Sequence, residues 1–159
     1  MSTSTQKCFS YEEVAAAIFN TVKSELGLAC VEGKQHVVGQ SGVTWELDAK
    51  GVKEADGSIV VVECKNYSKS SGPIKQEQMG GLAFRIIDLQ GHSGIFVTTI
   101  GYQAGAQTLA NAKDIVMAVL TPQSTPESFH LEFIGKLAMR AVPFYTCGGE
   151  PKSVSPDQE

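Results

Sequence analysis

The segment Ile59–Lys65, with the sequence IVVVECK, decides the fold. Its first four residues are all apolar, and such an unbroken run favours a central strand that is buried on both faces. Because side chains of a strand alternate between its faces, Glu63 and Lys65 share one face while Cys64 points to the other. The segment therefore predicts the middle of a sheet, with two charged side chains at the end of the strand.

A hairpin before this strand brings a second carboxylate to the same place. Val43–Val52 is predicted as the preceding strand, and Asp56-Gly57 is typical of a tight turn between antiparallel strands. With that turn, Asp48 lies nearly opposite Glu63. Two carboxylates at one point repel each other unless a cation lies between them, and oxygen ligands suit a hard ion such as Mg²⁺.

These charges form a minimal site for phosphodiester hydrolysis. Mg²⁺, for which Mn²⁺ substitutes, polarises a phosphoryl oxygen and lowers the pKa of a bound water. Lys65 is close enough to orient that water or to neutralise charge on the phosphorane. The backbone carbonyl of Cys64 is expected to be a further ligand. A plain network of ion pairs in a structural domain is an alternative interpretation of the same residues.

Helical periodicity appears on both sides of the strands. Apolar residues of Tyr11–Leu26 recur at three- and four-residue steps, and Ser10 is suited to the N-cap. Ile74–Leu89 shows the same periodicity and predicts a second helix. The pair Gly80-Gly81 inside it suggests the close approach of another backbone.

The remaining elements complete an α/β pattern. Strand–helix–strand order after the hairpin predicts a parallel half of the sheet, and the hairpin itself predicts an antiparallel half. We therefore expect a mixed central β-sheet flanked by helices. The further predicted elements are a strand within Cys30–Val38, strands at Gly94–Thr99 and Ile115–Leu120, a helix at Ala104–Lys113, and a final strand pair within Phe129–Tyr145.

Length and composition favour one globular domain. The chain has 159 residues, of which 42% are hydrophobic and 19% charged, an ordinary globular balance. We expect a single domain at 10–147, an N-terminal arm at 1–9 and a disordered tail at 148–159. Because no apolar run suits a signal peptide or a membrane helix, we expect a cytoplasmic protein without a membrane partner.

The net charge and the spacing of the cysteines restrict the kinds of function that the sequence supports. The net charge of −4 argues against a passive DNA binder, because proteins that hold DNA through phosphates are usually basic. It argues less against an enzyme, since a bound divalent cation reverses the local field. The four cysteines lack the spacing of a zinc site, which indicates reduced thiols. Separately, we expect no nucleotide cofactor.

Asp48 followed by Glu63-x-Lys65 after a hydrophobic strand resembles the signature of the PD-(D/E)xK nucleases. Other segments resemble the Mrr-like and Holliday-resolvase-like members of that superfamily: an aromatic–Glu pair, a Gln-Cys-Lys-Arg-Tyr segment and a Gly-Val-Phe-Val-Thr-Thr segment. The resemblance covers residues 10–120. The corresponding stretches are Tyr11-Glu12, Val62–Tyr67, and Gly94–Thr99 with the following Gly101, Tyr102 and Ala106.

The resemblance implies a restriction-endonuclease-like core in the order αβββαβ and a metal-dependent DNA endonuclease. It implies catalytic roles for Asp48, Glu63 and Lys65. Glu12 is implied to hold a second metal or its water, with Glu13 as the alternative. The products would carry 5′-phosphate and 3′-hydroxyl ends. A homodimer is expected, since a single-domain nuclease cuts two strands most simply with two sites.

Basic residues after the buried strand are candidates for contacts with DNA phosphates; they are Lys69, Lys75 and Arg85. Two other functions stay open: a Holliday-junction or branched-DNA resolvase, and a catalytically inactive DNA-binding or interaction module of the same fold. Leu47 replaces the family's Pro before Asp48, and the Mrr-like Asp-Gly-Gly-Ile-Asp stretch is absent. Modified-base specificity is therefore not implied.

Overall fold

A computed structural model describes residues 10–122, 128–134 and 142–145. The predicted arm at 1–9 and tail at 148–159 lie outside these residues. In chain order, the helices and strands are α1 Tyr11–Thr21, β1 Leu28–Glu32, β2 Gln35–Val38, β3 Thr44–Leu47, β4 Ala49–Lys53, β5 Ile59–Lys65, α2 Gln76–Asp88, β6 Ser93–Thr98, α3 Ala104–Ala112, β7 Ile115–Pro122, β8 Ser128–Ile134 and β9 Val142–Tyr145.

The main sheet is mixed, as the sequence predicted. Its strand order is β1-β4-β5-β6-β7-β8-β9. The hairpin makes β4 antiparallel to β5, whereas crossovers through α2 and α3 make β5, β6 and β7 parallel. A separate ribbon, β2–β3, is inserted between β1 and β4. Apart from this ribbon, the predicted αβββαβ order is confirmed, and so is the α/β fold with helices flanking the sheet.

Strand β5 lies in the centre of the sheet because both of its faces are covered. On one face, Val60 and Val62 belong to a core cluster that includes Phe19 of α1. On the other face, Val61 belongs to a cluster that includes Met79 of α2. Burial of these apolar side chains from both directions is what an all-apolar strand requires.

The predicted strand Val43–Val52 is two strands, which corrects the sequence-based expectation. Asp48 lies at a bend, so β3 pairs with β2 while β4 pairs with β1 and β5. At the bend, the Asp48 carboxylate accepts a hydrogen bond from the backbone N–H of Cys64 on β5 at 2.7 Å. The predicted strand Cys30–Val38 is likewise divided, into β1 and β2.

The helix predictions were right about the elements and wrong about two details. A capping box formed by Ser10 and Glu13 starts α1, but the helix ends at Thr21 instead of continuing to Leu26. At Gly80 an added Cβ would meet only a Leu109 methyl, at 3.7 Å, and at Gly81 it would meet nothing within 4 Å. Among the residues that the structure describes, no backbone atom of another element lies within 4 Å of either added Cβ. No helix in the described part of the chain is long and apolar enough to cross a membrane.

Candidate active site

Asp48 lies half-buried at the bend between β3 and β4. The register Ala49↔Val62 continues to place it opposite Glu63, as the hairpin predicted. Burial raises the pKa of Asp48, the hydrogen bond from the Cys64 N–H opposes this, and the charges of Glu63 and Glu12 raise the pKa further. The carboxylates of Asp48, Glu63 and Glu12 therefore repel one another electrostatically at this end of β5.

Glu63 is buried, with 7% of the residue exposed, and forms two ion pairs. Lys65 Nζ donates to Glu63 Oε1 at 2.8 Å, and the Arg85 guanidinium donates to Oε2. Burial lowers the pKa of Lys65, but the hydrogen bond and the charge of Glu63 outweigh it and raise the pKa overall. The structure thus brings the three predicted charges together and adds an arginine from α2.

Glu12 in the first turn of α1 belongs to the same electrostatic cluster. It is half-buried, and its charge contributes to the raised pKa of Asp48. Glu13 is exposed, and its carboxylate accepts from the Ser10 N–H at 3.1 Å. Of the two predicted alternatives, the structure places Glu12 near the site and uses Glu13 in the helix cap.

Cys64 contributes its backbone to the site and its side chain to the opposite face. The backbone N–H fixes the Asp48 carboxylate, and the side chain is buried in the core beneath α1. Burial raises the pKa of the Cys64 thiol well above its usual range, which keeps the sulfur protonated and unreactive. The role of its carbonyl as a metal ligand stays a prediction.

The three basic residues predicted to contact DNA occupy different surroundings. Arg85 lies inside the site, on Glu63. Lys75 is exposed just before the first residue of α2, and Lys69 starts a short 3₁₀ turn, Lys69–Ser71, that follows β5. Phosphate contact by these residues stays a prediction.

Sequence reasoning missed a supporting group behind Arg85. The guanidinium carbon of Arg85 lies 5.2 Å from the centre of the Trp45 ring. Trp45 Nε1 donates to Asp88 Oδ2 at 2.7 Å, and Ser41 donates to the same carboxylate through its N–H and hydroxyl, at 2.9 and 2.8 Å. These bonds lower the pKa of Asp88. A carboxylate at a helix C-terminus is unfavourable without hydrogen-bond partners. The position of Asp88 at the end of the predicted helix could therefore have indicated that such partners exist.

The donors at this end of β5 are suited to a hard divalent cation. Asp48 and Glu63 offer carboxylate oxygens, and Glu12 adds negative charge within electrostatic range. A half-buried carboxylate whose pKa is raised by burial and by neighbouring carboxylates is stabilised by a cation. Among the described residues, no group of three or more His, Cys, Asp or Glu side chains is arranged to hold a metal ion. Both oxygens of Glu63 are held by cationic side chains instead.

Most of the sequence matches a known family. The model of the Mrr_cat family, described as restriction endonuclease, matches residues 10–120. The chain belongs to this restriction endonuclease family. The match spans every element from α1 to the end of the apolar part of β7, so it includes all the site residues described above. Membership in Mrr_cat confirms the predicted superfamily and indicates a nuclease-type function.

Two solved structures are similar to this Mrr_cat chain. A crystallised protein of unknown function, AF1548, is 18% identical, with a TM-score of 0.53 over 65% of this chain and 55% of that chain, and it shows the fold alone. An EndoMS–double-stranded DNA complex is 16% identical, with a TM-score of 0.40 over 78% of this chain and 51% of that one. The chain spans about half the length of these solved chains. No curated protein matches it significantly.

Proposed function

We propose that this protein is a divalent-metal-dependent endonuclease that hydrolyses phosphodiester bonds in DNA. The observation that carries the proposal is the meeting of Asp48, Glu63 and Lys65 at the end of β5. Two carboxylates and an ammonium group at one point match the needs of phosphodiester hydrolysis, and the chain belongs to a family of restriction endonucleases.

The proposed roles follow from what each group contacts. Asp48, Glu63 and the Cys64 carbonyl would hold Mg²⁺ or Mn²⁺, which would supply Lewis-acid activation of the phosphate and of water. The Cys64 N–H keeps Asp48 oriented, so its carboxylate needs little reorganisation. Lys65 would neutralise charge that develops on the phosphate, and Glu12 would orient the attacking water.

DNA is the proposed substrate and the proposed partner. Lys69 and Lys75 follow the site strand and would contact the phosphate backbone of DNA. Arg85 is already paired with Glu63, so it is a weaker candidate for such a contact. We propose a cytoplasmic homodimer that supplies one site for each strand and leaves 5′-phosphate and 3′-hydroxyl ends.

The test is cleavage by purified protein with Mg²⁺, Mn²⁺ or chelator. The substrates are supercoiled plasmid, linear duplex, a four-way junction and a single-stranded oligonucleotide. The variants Asp48→Asn and Lys65→Ala remove site groups, and Glu77→Gln and Lys113→Ala are matched controls at exposed positions. We expect metal-dependent cleavage that both controls retain and both site variants lose.

Other outcomes separate the alternatives. Equal residual cleavage by Asp48→Asn and Lys65→Ala would identify a contaminating nuclease and sink the proposal. Cleavage confined to the four-way junction would favour a resolvase. Metal-independent DNA binding without cleavage would favour an inactive module of the same fold.

A further inference from the structure

Glu63 has two cationic partners, which differ in solvent exposure and in the contacts that support them. The side chain of Lys65, on Oε1, is 35% exposed, whereas that of Arg85, on Oε2, is 20% exposed. Both carboxylate oxygens are therefore engaged. Each carboxylate oxygen keeps a second lone pair, but a divalent cation on the same oxygen as an ammonium or guanidinium group is repelled by that group. Binding of a divalent cation to Glu63 therefore favours the departure of one of the two side chains.

Arg85 lies against Trp45, a side chain that is itself fixed by hydrogen bonding. Its guanidinium lies over the Trp45 ring, and the ring nitrogen is tied to Asp88 on the same helix. Ser41 holds that carboxylate through two more hydrogen bonds, which joins the turn after β2 to α2. A planar guanidinium stacked on an aromatic ring is preorganised for one carboxylate oxygen. Arg85 therefore has a fixed position next to Glu63.

Lys65 has no comparable support. Glu63 is its one ion-pair partner within the described residues, and the lysine is the last residue of β5. An ammonium group on a flexible four-carbon stem is readily hydrated, and the residue already reaches solvent. Of the two partners, Lys65 is the one that can leave without disturbing other contacts.

We propose that Arg85 is a positioning residue that stays on Oε2 of Glu63, and that a divalent cation replaces Lys65 on Oε1. The inference rests on the proposed nuclease function and adds to it the order in which the site is loaded. The Lys65 ammonium becomes available to the phosphodiester only after the cation binds. If DNA binds before the cation, the Lys65 ammonium group is still paired with Glu63.

The partner exchange is measurable on the two side chains directly. The sequence contains two arginines, Arg85 and Arg140, so selective ¹⁵N-arginine labelling gives few side-chain signals. Wild-type protein labelled on arginine and lysine side chains is titrated with Mg²⁺, and signals are assigned with Arg85→Lys and Lys65→Ala. We expect the Lys65 signal to shift and the Arg85 guanidinium signal to stay. Release of the Arg85 signal with an unchanged Lys65 signal would overturn the inference.

Cation affinity gives an independent measurement. Partners that orient a metal ligand typically contribute about 10–100-fold to metal affinity, so Arg85→Lys should weaken Mn²⁺ binding by about that factor in calorimetry. Arg85→Lys keeps the charge beside Glu63, and its melting curve shows whether it is folded. Lys65→Ala should bind Mn²⁺ as tightly as wild type or more tightly, with Lys113→Ala as control. Wild-type affinity in folded Arg85→Lys would contradict the positioning role.

The two proposals fail in different ways. If wild type neither binds Mg²⁺ or Mn²⁺ nor cleaves DNA, the proposed function is wrong, and the exchange is wrong with it. If wild type binds the cation and cleaves DNA while Arg85→Lys keeps normal affinity, only the exchange is wrong.

Discussion

Replacing Glu63 with alanine should destabilise the protein far more than replacing Lys65. Without Glu63, the Arg85 guanidinium is left largely buried, and its Nε already has no hydrogen-bond partner among the described residues. Breaking a buried ion pair in this way costs about 3–5 kcal/mol, and the partial exposure of Arg85 favours the lower end, about 3 kcal/mol. Lys65→Ala leaves Glu63 paired with Arg85 and should cost less than about 1 kcal/mol.

Urea unfolding in chelator measures this difference, with fluorescence of Trp45 as the probe. Trp45 is the single tryptophan of the chain and lies over the guanidinium concerned. In thermal unfolding, a loss of about 3 kcal/mol corresponds to about 6–12 °C for a domain of this size. Glu77→Ala, on the exposed face of α2, should stay within about 0.5 kcal/mol of wild type.

Equal stabilities of Glu63→Ala and Lys65→Ala would refute the reasoning, because Arg85 would then be solvated and not held by Glu63. The expected instability of Glu63→Ala is independent of catalysis. Unfolding of this variant therefore does not distinguish an enzyme from a structural network of ion pairs, and only the cleavage and cation-binding measurements do.

Three further predictions concern stability. Tyr102→Phe removes a buried hydroxyl that lies 2.6 Å from the Phe96 carbonyl of β6 and 2.7 Å from the Ala118 carbonyl of β7, between which its one proton is shared, and that accepts from the Ala118 N–H at 3.2 Å. Unfolding in urea should therefore show a loss of about 1–3 kcal/mol. Gly94→Ala puts a Cβ 2.7 Å from the Ile86 side chain and should lower the melting temperature, whereas Gly81→Ala, with no atom in reach, should stabilise α2 by about 0.4–1 kcal/mol. Because hydrogen bonds lower the folded-state pKa of Asp88, its contribution should be complete above its usual pKa of 3.8 and be lost as pH falls through the lowered folded value. Urea midpoints that fall equally with pH in wild type and Asp88→Asn would contradict this.

The central strand and the meeting of its charges could be predicted from the sequence. The apolar run of Ile59–Lys65 requires burial on both faces, and an Asp-Gly turn makes the preceding strand antiparallel, with Asp48 nearly opposite Glu63. Both conclusions depend on the order of apolar and turn residues along the chain and on the alternation of side chains in a strand. Residues close together in the sequence determine both. The place of Glu13 in the helix cap was also predictable, since a Ser followed three residues later by Glu is a capping box, whereas the role of Glu12 in the site stays a prediction.

The division of the strand at Asp48 and the support behind Arg85 were not predictable in this way. The bend coincides with a hydrogen bond between the Asp48 side chain and the backbone of another strand. The contacts of Arg85 join Trp45 from the inserted ribbon to a helix more than thirty residues later in the chain. Periodicity identifies the buried face of α2, but it carries no information about which distant side chain packs against that face.

The hairpin that joins β4 to β5 also bears on how the site assembles during folding. Asp48, Glu63 and Lys65 belong to this one local unit, so bringing them together closes only a short loop, which costs little chain entropy. Arg85 joins them through the β5–α2–β6 crossover, a parallel connection that forms more slowly than a hairpin. We therefore expect Lys65 to be the first counter-charge of Glu63 during folding, and Arg85 to pair with Glu63 only when α2 packs on the sheet.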